Sequence, residues 1–437
     1  MFDIIITSNE MYYIHNKLFS SIEQFECFKD STKDSILIME SYLFELLYSK
    51  FDETQSIICL SHDTLEQTLN SVKADKKIFI LCSSKLYQEI FINWYHLINK
   101  VYLNVINKID CDPIVKLDNL KFSIQSKQTY NDFVQYILVT KISDENHYLK
   151  LLKDVYINGC AVNGRNGNTK SLFGKTLEFD LRKGFPLLTT KKMFFRGIVE
   201  ELLFFIRGNT DTKILEDKNI NIWKGNTNRH FLDSIGKNNR TEGVMGPMYG
   251  YQWRYFNALY DESKAAPVIS KHYTDQLDNV IKTLRTNPHS RRILLSDYNP
   301  LQADEGVLFP CHSIIIQFYV YEDNLDMFCF NRSSDLFHGL PFNIASSALF
   351  LILIAKITNF KPRKFIVSLG DSHIYEEHIN SENKIIDIQL SRIPFRFPQL
   401  EIKKELKELE DIEKLSYEDF ILHNYESHDA LKAKMVA

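Results

Sequence analysis

The chain has 437 residues, more than one ordinary domain holds, and its hydrophobic (44%) and charged (25%) fractions are those of a globular protein with material for a sizeable core. A formal net charge of −4 excludes the overall basic footprint of a nucleic-acid binder but leaves room for a local anion site. Seven scattered cysteines, never in CxxC pairs, exclude a disulfide scaffold and a zinc ribbon and fit a reducing compartment. The opening "MFDIIITSNEMYY" lacks a basic leader and a small-residue cleavage site. It reads as a strand rather than a signal peptide, and a cytoplasmic location is the expectation. Up to residue 142, short β-branched runs ("DIIIT", "SILIM", "SIICL", "KIFIL", "KVYLNVI", "QYILVT") alternate with helix-like stretches such as "SIEQFECFKD", "SYLFELLYSK" and "DTLEQTLNSV". Such alternation predicts α/β layering around a mainly parallel sheet. The polar stretch "SDENHY" at residues 143–148 fits neither element and sets a predicted boundary between domains 1–142 and 143–437.

Beyond it, "HYLKLLKDVYINGC" has apolar residues at helical spacing with Gly159 as its stop. "RGIVEELLFFIRGNT" is a strongly apolar helix carrying a pair of glutamates, and "EGVLFPCHSIIIQFYV" sets Cys311 and His312 after a proline and before a β-branched run. A thiol is a poor nucleophile at neutral pH unless cations or dipoles lower its pKa. The cations on offer are Arg291 and Arg292 in "SRRILLSDYNP", Arg332 in "NRSSDLF" and Arg165 in "NGRNGN", all beside small or Gly-rich residues. Guanidinium forks match phosphate, and small neighbours let such a ligand approach. Taken singly, each arginine also reads as a solvated charge, and Cys311 as a small buried residue. "DLFHGLPFNIASSALF" places Asp335 and Asn343 where an apolar helix begins. The Asn343 amide offers the donor and acceptor that a nucleobase edge requires, or else a helix N-cap. The apolar run at residues 344–355 is too short to span a bilayer and suits a buried helix, so no membrane partner is expected. In "GDSHIYEEHI", a strand running into a turn, His373 and Tyr375 fall on one face near Asp371. That arrangement suits sugar hydroxyls, and the histidine spacing is not that of a helical zinc pair, so no metal site is expected.

From about residue 147 to its end the chain resembles thymidylate synthase. The resemblance is carried, in the family's order and spacing, by "GRNGNTKSLFG", "FPLLTTKK", "GPMYGYQWRYF", "SRRILLSDYNP", "FPCHS", "NRSSDLFHGLPFNIASSALF" and "GDSHIYEEHI". It implies a thymidylate synthase fold, an α/β (α+β) domain with a large mixed sheet, paired with a second copy through its sheet face. The implied reaction is reductive methylation of dUMP, with 5,10-methylenetetrahydrofolate giving carbon and hydride and dTMP and dihydrofolate as products. Residue by residue, the resemblance makes Cys311 the nucleophile on C6 of uracil and Arg332 both a phosphate ligand and a support for the thiolate. Arg165 and Ser333 also meet phosphate, and Arg291 and Arg292 reach the partner's site in a homodimer. Asn343 reads the uracil edge, where related dCMP hydroxymethylases carry Asp, and His373 and Tyr375 hold the 3′-hydroxyl. Glu201 orders water and moves protons, while its neighbour Glu200 is expected to be a partly exposed helix acid. Tyr249 assists proton removal at C5, and His312 has a supporting role. Trp223, Leu308, Asp335, Gly339 and Phe342 match the folate-facing surface.

Several residues depart from the family's pattern. Lys224 follows Trp223 where Asp is usual, His338 takes a leucine's place, and Asn331 replaces Gln before the phosphate arginine. The tail keeps Tyr425, His428 and Lys432 but loses the prolines around the histidine, which predicts weaker folate binding or slower closure. Residues 1–142 resemble a decayed dihydrofolate reductase, an α/β domain fused ahead of the synthase in some lineages. Cys82, Ser83 and Ser84 stand where that family has the glycines that let NADPH phosphates approach, and Glu40 stands at a phosphate position. Gln24 falls at the catalytic acid, with Glu23 and Glu26 nearby. The expectation is a folded, inactive domain. The alternative is a bifunctional enzyme that retains NADPH-dependent reduction; a non-catalytic relic and a dUMP hydroxymethylase are the remaining readings.

Overall fold

The structure, a computed structural model, describes residues 143–164, 167–269 and 272–433, and before them the backbone of seven strands. The chain divides into two compact units, Met1–Ser143 and Asp144–Ala437. In the first, strands β1 (Phe2–Ser8), β2 (Ile36–Glu40), β3 (Ser56–Leu60), β4 (Ile78–Leu81), β5 (Ile98–Ile106), β6 (Phe122–Thr129) and β7 (Phe133–Thr140) form one sheet in the order β3-β2-β4-β1-β5-β7-β6. The first five run parallel, and β7 and β6 are antiparallel. The six β-branched runs are β1 to β5 and β7; β6, "FSIQSKQT", is too polar to read as a strand. Gln24, Glu23, Glu26, Cys82, Ser83 and Ser84 lie outside the described residues, as does the side chain of Glu40.

The second unit opens with α1 (Glu145–Asn158), which buries Tyr148, Leu151, Leu152 and Val155 on one stripe and ends at Gly159. The polar "SDENHY" is no exposed linker, because Asp144 and Glu145 are buried. Asp144 accepts from the Asp180 amide (2.7 Å) and pairs with Lys183 (2.8 Å). Glu145 takes hydrogen bonds from the amides and hydroxyls of Thr189 and Thr190 at 2.6–2.9 Å. Partners so distant in sequence give a local reading nothing to see.

There follow β8 (Cys160–Gly164), β9 (Gly167–Asp180), α2 (Phe195–Ile206), α3 (Gly250–Tyr255), α4 (Gln276–Thr286), β10 (Leu294–Ser296), β11 (Ile315–Tyr321), β12 (Asn324–Asp335), α5 (Gly339–Ile357) and β13 (Lys361–Tyr375). The strands form a mixed sheet in the order β10-β11-β12-β13-β9-β8, with β12 and β13 parallel across the α5 connection. Along β11, Ile316, Phe318 and Val320 face the core while Ile315, Tyr319 and Tyr321 face out, the alternation a strand imposes. Leu294, Gln317 and Phe328 share one cross-strand row on the outer face. Helix α5 is apolar all round and packs on the core face; each leucine it buries, such as Leu349 or Leu353, contributes about 2 kcal/mol. By length and composition it could cross a membrane, yet most of it is buried within the protein. It begins at Gly339, ahead of the expected residue 344, since Pro341 is tolerated in a first turn. His338, not Asn343, is its N-cap residue, so the capping alternative for Asn343 falls away. The C-terminal ends of β12 and β13 lie side by side, and the loop entering β11 runs along β12.

Candidate active site

Cys311 sits in that loop, where its carbonyl accepts the amides of Arg332 (2.8 Å) and Ser333 (3.2 Å). Two residues on, Ser313 adopts φ +57°, an uncommon conformation for a residue with a Cβ. It is held there by its amide, which donates to Oδ1 of the buried Asn331 at 2.9 Å. Arg332 donates from Nε to the Pro310 carbonyl (3.1 Å) and lies over the Phe309 ring, so its exposed guanidinium is fixed beside the thiol. Burial pushes the Cys311 thiol up; the Tyr249 hydroxyl, 3.3 Å from Sγ, and the Arg332 charge pull it back. His312 stacks on Tyr249 at 4.5 Å, and burial lowers its imidazole to about 4. It is therefore neutral at pH 7 and is not the cation that supports the thiolate.

Tyr249 precedes α3 with φ +50° and packs on Phe205 at 5.2 Å and Trp223 at 5.8 Å. The Trp223 indole donates to Glu201 Oε1 on α2 at 2.8 Å. Burial pushes the Glu201 carboxyl up to about 7, with the indole N–H opposing. The expectation for its neighbour is corrected here. Glu200 is not a partly exposed acid but the more buried of the two, 4% exposed and paired with Lys218 at 2.6 Å. Helix α2 turns Glu200 toward Lys218 and Glu201 toward the thiol side, a difference of one residue that sequence spacing does not resolve. Trp223, expected on the folate-facing surface, thus also ties Glu201 to Tyr249 and Cys311.

A second cluster forms along β13. In the parallel register Ser333 faces Asp371 and Asp335 faces His373. His373 Nδ1 lies 3.1 Å from Asp371 Oδ2, Ser171 donates to Asp371 Oδ1, and the His373 and Tyr375 rings meet edge to face at 5.1 Å. Burial works to raise the Asp371 carboxyl, but His373, Ser171 and Arg332 outweigh it and hold it below the usual range. Asp335 Oδ1 accepts the amides of Phe337 (2.8 Å) and His338 (3.2 Å) at the start of α5. A Cβ at Gly339 would stand 3.8 Å from Asp335 Cβ and 4.0 Å from Asn343 Oδ1, so these three share one corner, and Leu308 and Phe342 are half-buried on the same core.

Arg291 and Arg292 lie exposed before β10, and among the described residues neither side chain makes a hydrogen bond or ion pair. Among the described residues nothing joins them to Cys311. Arg165 lies outside the described residues. Sequence reasoning passed over Lys191, a buried amine that donates to the Phe337 carbonyl and lies 3.9 Å over the Phe337 ring. Burial lowers it to about 8, against the charges of Asp335 and Glu145; the doubled lysine in "TTKK" was its signal. Among the departures, Lys224 lies 3.8 Å from Glu216, and the His338 ring is 5.0 Å from that of His378. The tail folds back onto the loop after β9. There Tyr425 donates to the Leu188 carbonyl (2.9 Å) and accepts the Met193 amide (3.1 Å), and the His428 amide donates to Thr189 (2.8 Å). Together these groups can activate a thiol, move protons beside it and hold an anion.

The thymidylate synthase sequence profile matches residues 146–437. The chain is 44% identical over 292 residues to the bifunctional dihydrofolate reductase-thymidylate synthase of Paramecium tetraurelia, covering 67% of this chain and 61% of that protein. It is 43% identical over 292 residues to the thymidylate synthase of Homo sapiens, covering 67% of this chain and 90% of the human protein. The thymidylate synthase 1/2 of Encephalitozoon cuniculi is 42% identical over 295 residues, which cover 97% of its length. The chain spans about three fifths of the length of the bifunctional relatives it matches, 61% and 62% for those of Paramecium and rice.

Proposed function

The chain belongs to the thymidylate synthase family, and from that premise we propose that its second unit converts dUMP to dTMP, with 5,10-methylenetetrahydrofolate as donor of carbon and hydride and dihydrofolate as second product. The observation that carries this reading is the half-buried Cys311 thiol with the Tyr249 hydroxyl 3.3 Å from Sγ and the Arg332 guanidinium fixed to the same loop. Cys311 adds to C6 of uracil, which makes C5 an enolate-like carbon able to take the one-carbon unit, so covalent catalysis divides one hard step into easier ones. Tyr249 assists removal of the C5 proton. Glu201, with its carboxyl up to about 7, both gives and accepts a proton near neutral pH. Arg332, Ser333 and Arg165 hold the phosphate, Asn343 reads the N3/O4 edge, and His373, oriented by Asp371, holds the 3′-hydroxyl with Tyr375. The folate is held by Trp223, Leu308, Asp335, Gly339 and Phe342; the side-chain-free Gly339 beside Asp335 and the half-buried Leu308 and Phe342 suit a flat ring.

Arg291 and Arg292, uncommitted among the described residues, serve the site of a second copy in a homodimer. The apolar Leu294, Ile315, Tyr319, Tyr321 and Phe328 exposed on the outer sheet face support pairing there. The first unit is read as a reductase-like domain without activity, and NADPH belongs to the protein only if that reading fails. The test is an absorbance assay for dihydrofolate formation from dUMP and methylenetetrahydrofolate, with Cys311→Ser as blank. Signal that disappears in Cys311→Ser is expected, and signal that survives it would overturn the assignment.

A further inference from the structure

Two large aromatic side chains flank the loop that carries Cys311 without belonging to the core. Tyr298 is 37% exposed and Phe309 42%, so neither ring is accounted for by packing in the interior. Each is held in place all the same. Tyr298 follows β10, where its amide donates to Ser296 Oγ at 3.1 Å and that hydroxyl donates to the Ile314 carbonyl at 2.8 Å. From this anchor the Tyr298 ring meets the Phe309 ring at 5.6 Å, an aromatic pair that ties the end of β10 to the loop on the other side of Cys311.

What Phe309 holds in turn is Arg332. The central guanidinium carbon stands 5.3 Å from the centre of the Phe309 ring, within the reach of a cation–π contact. Nε donates to the Pro310 carbonyl at 3.1 Å and Nη2 to the Phe309 carbonyl at 3.4 Å. The Phe309 ring therefore takes one face of the guanidinium, and the two carbonyls take its side-on edge. The end-on edge, formed by Nη1 and the second hydrogen of Nη2, is left over, and among the described residues no carboxylate forms an ion pair with it. A guanidinium fork matches a phosphate with two parallel bonds, and a fork that is already fixed gives up less freedom on binding than one that swings free.

We propose that Phe309, backed by Tyr298, is a positioning residue for the phosphate end of the nucleotide: it fixes Arg332 so that the end-on edge of the guanidinium meets the phosphate. This rests on Arg332 being a phosphate ligand in the reaction proposed above. Phe309 itself touches neither the reacting carbons nor the thiol; its effect on the nucleotide passes through Arg332.

The test is the dissociation constant of dUMP, measured by isothermal titration calorimetry on the full chain. It compares the native protein with Phe309→Ala, Phe309→Leu, Phe309→Tyr, Arg332→Gln and the double variant Phe309→Ala with Arg332→Gln. Phe309→Ala and Phe309→Leu are both expected to weaken dUMP about two- to fivefold, because Leu keeps the bulk but not the π face. Phe309→Tyr keeps the ring and is expected to bind as the native protein does. In the Arg332→Gln background Phe309→Ala is expected to cause no further loss, since a residue that acts through another has nothing left to act on. Native affinity in Phe309→Leu overturns the proposal, and so does a Phe309→Ala loss of the same size with and without Arg332. The Leu and Tyr variants decide the matter even if the Ala variant does not fold. The failure of this inference and that of the reading beneath it are distinguishable. Arg332→Gln weakened with Phe309→Ala and Phe309→Leu unmoved removes the positioning role alone, whereas native affinity in Arg332→Gln removes Arg332 from the phosphate and the positioning role with it.

Discussion

With its carboxyl pushed up to about 7, Glu201 changes charge in the pH range where neutral-pH chemistry runs, and that makes it a stability reporter as well as the proton carrier proposed above. Its pKa is raised in the folded state from an unfolded value of 4.5. The stabilising term is therefore fully present below 4.5 and is lost as pH climbs through about 7. A shift of this size corresponds to about 3 kcal/mol at most. Glu201→Gln mimics the protonated acid at every pH. Relative to the native chain it is expected to gain up to about 3 kcal/mol between pH 5 and pH 8, measured by urea denaturation at both. A difference that is the same at the two values would show that the carboxyl is not held protonated by burial. The catalytic expectation is separate: Gln cannot exchange a proton, so turnover falls even where the fold is stabilised.

At the scale of elements, the thiol itself is carried by a short loop clamped between β12 and β10 and not by a helix. Asn331 on β12 holds Ser313 in its left-handed conformation, and Arg332 and Ser333 bind the Cys311 carbonyl. Asn331→Ala leaves a buried amide unsatisfied and is expected to destabilise the protein by about 1–3 kcal/mol. Dihydrofolate formation should fall further than the population of folded protein does, because the loop that aims Sγ loses its clamp. Unchanged turnover would mean the Cys311 loop holds itself.

Much of this framework is readable in the sequence. Period-two alternation gives β11, helical spacing gives α1, and the apolar run at residues 344–355 gives the body of α5. What escapes is whatever depends on a partner far along the chain. The buried start of α1 needs Thr189 and Thr190, the Trp223–Glu201 bond joins residues 22 apart, and Asp297 reads as an ordinary turn residue after a strand until its burial is seen. The roles of Glu200 and Glu201 differ by one helical position, about 100° of rotation, which an apolar helix pattern does not fix.

For the molecule as a whole, the division into two units bears on which part carries the chemistry. The contacts described for the start of α1 all stay in the second unit, Asp144 to Asp180 and Lys183 and Glu145 to Thr189 and Thr190. The match to the human thymidylate synthase runs over 292 residues and 90% of that protein, so a span of this length makes up nearly all of a thymidylate synthase that carries no fused reductase in its name. Residues 144–437 produced alone are therefore expected to melt cooperatively and to form dihydrofolate from dUMP and methylenetetrahydrofolate in a Cys311-dependent way. The full chain given dihydrofolate and NADPH is expected to leave the NADPH absorbance unchanged, since on the reductase-like reading proposed for the first unit Cys82, Ser83 and Ser84 replace the glycines that a pyrophosphate's close backbone approach needs. Failure of the shortened chain to fold would make the first unit a brace for the second. Oxidation of NADPH would mean the lost glycines are tolerated, and the chain would then carry both activities, with the dihydrofolate released by one unit serving as substrate for the other.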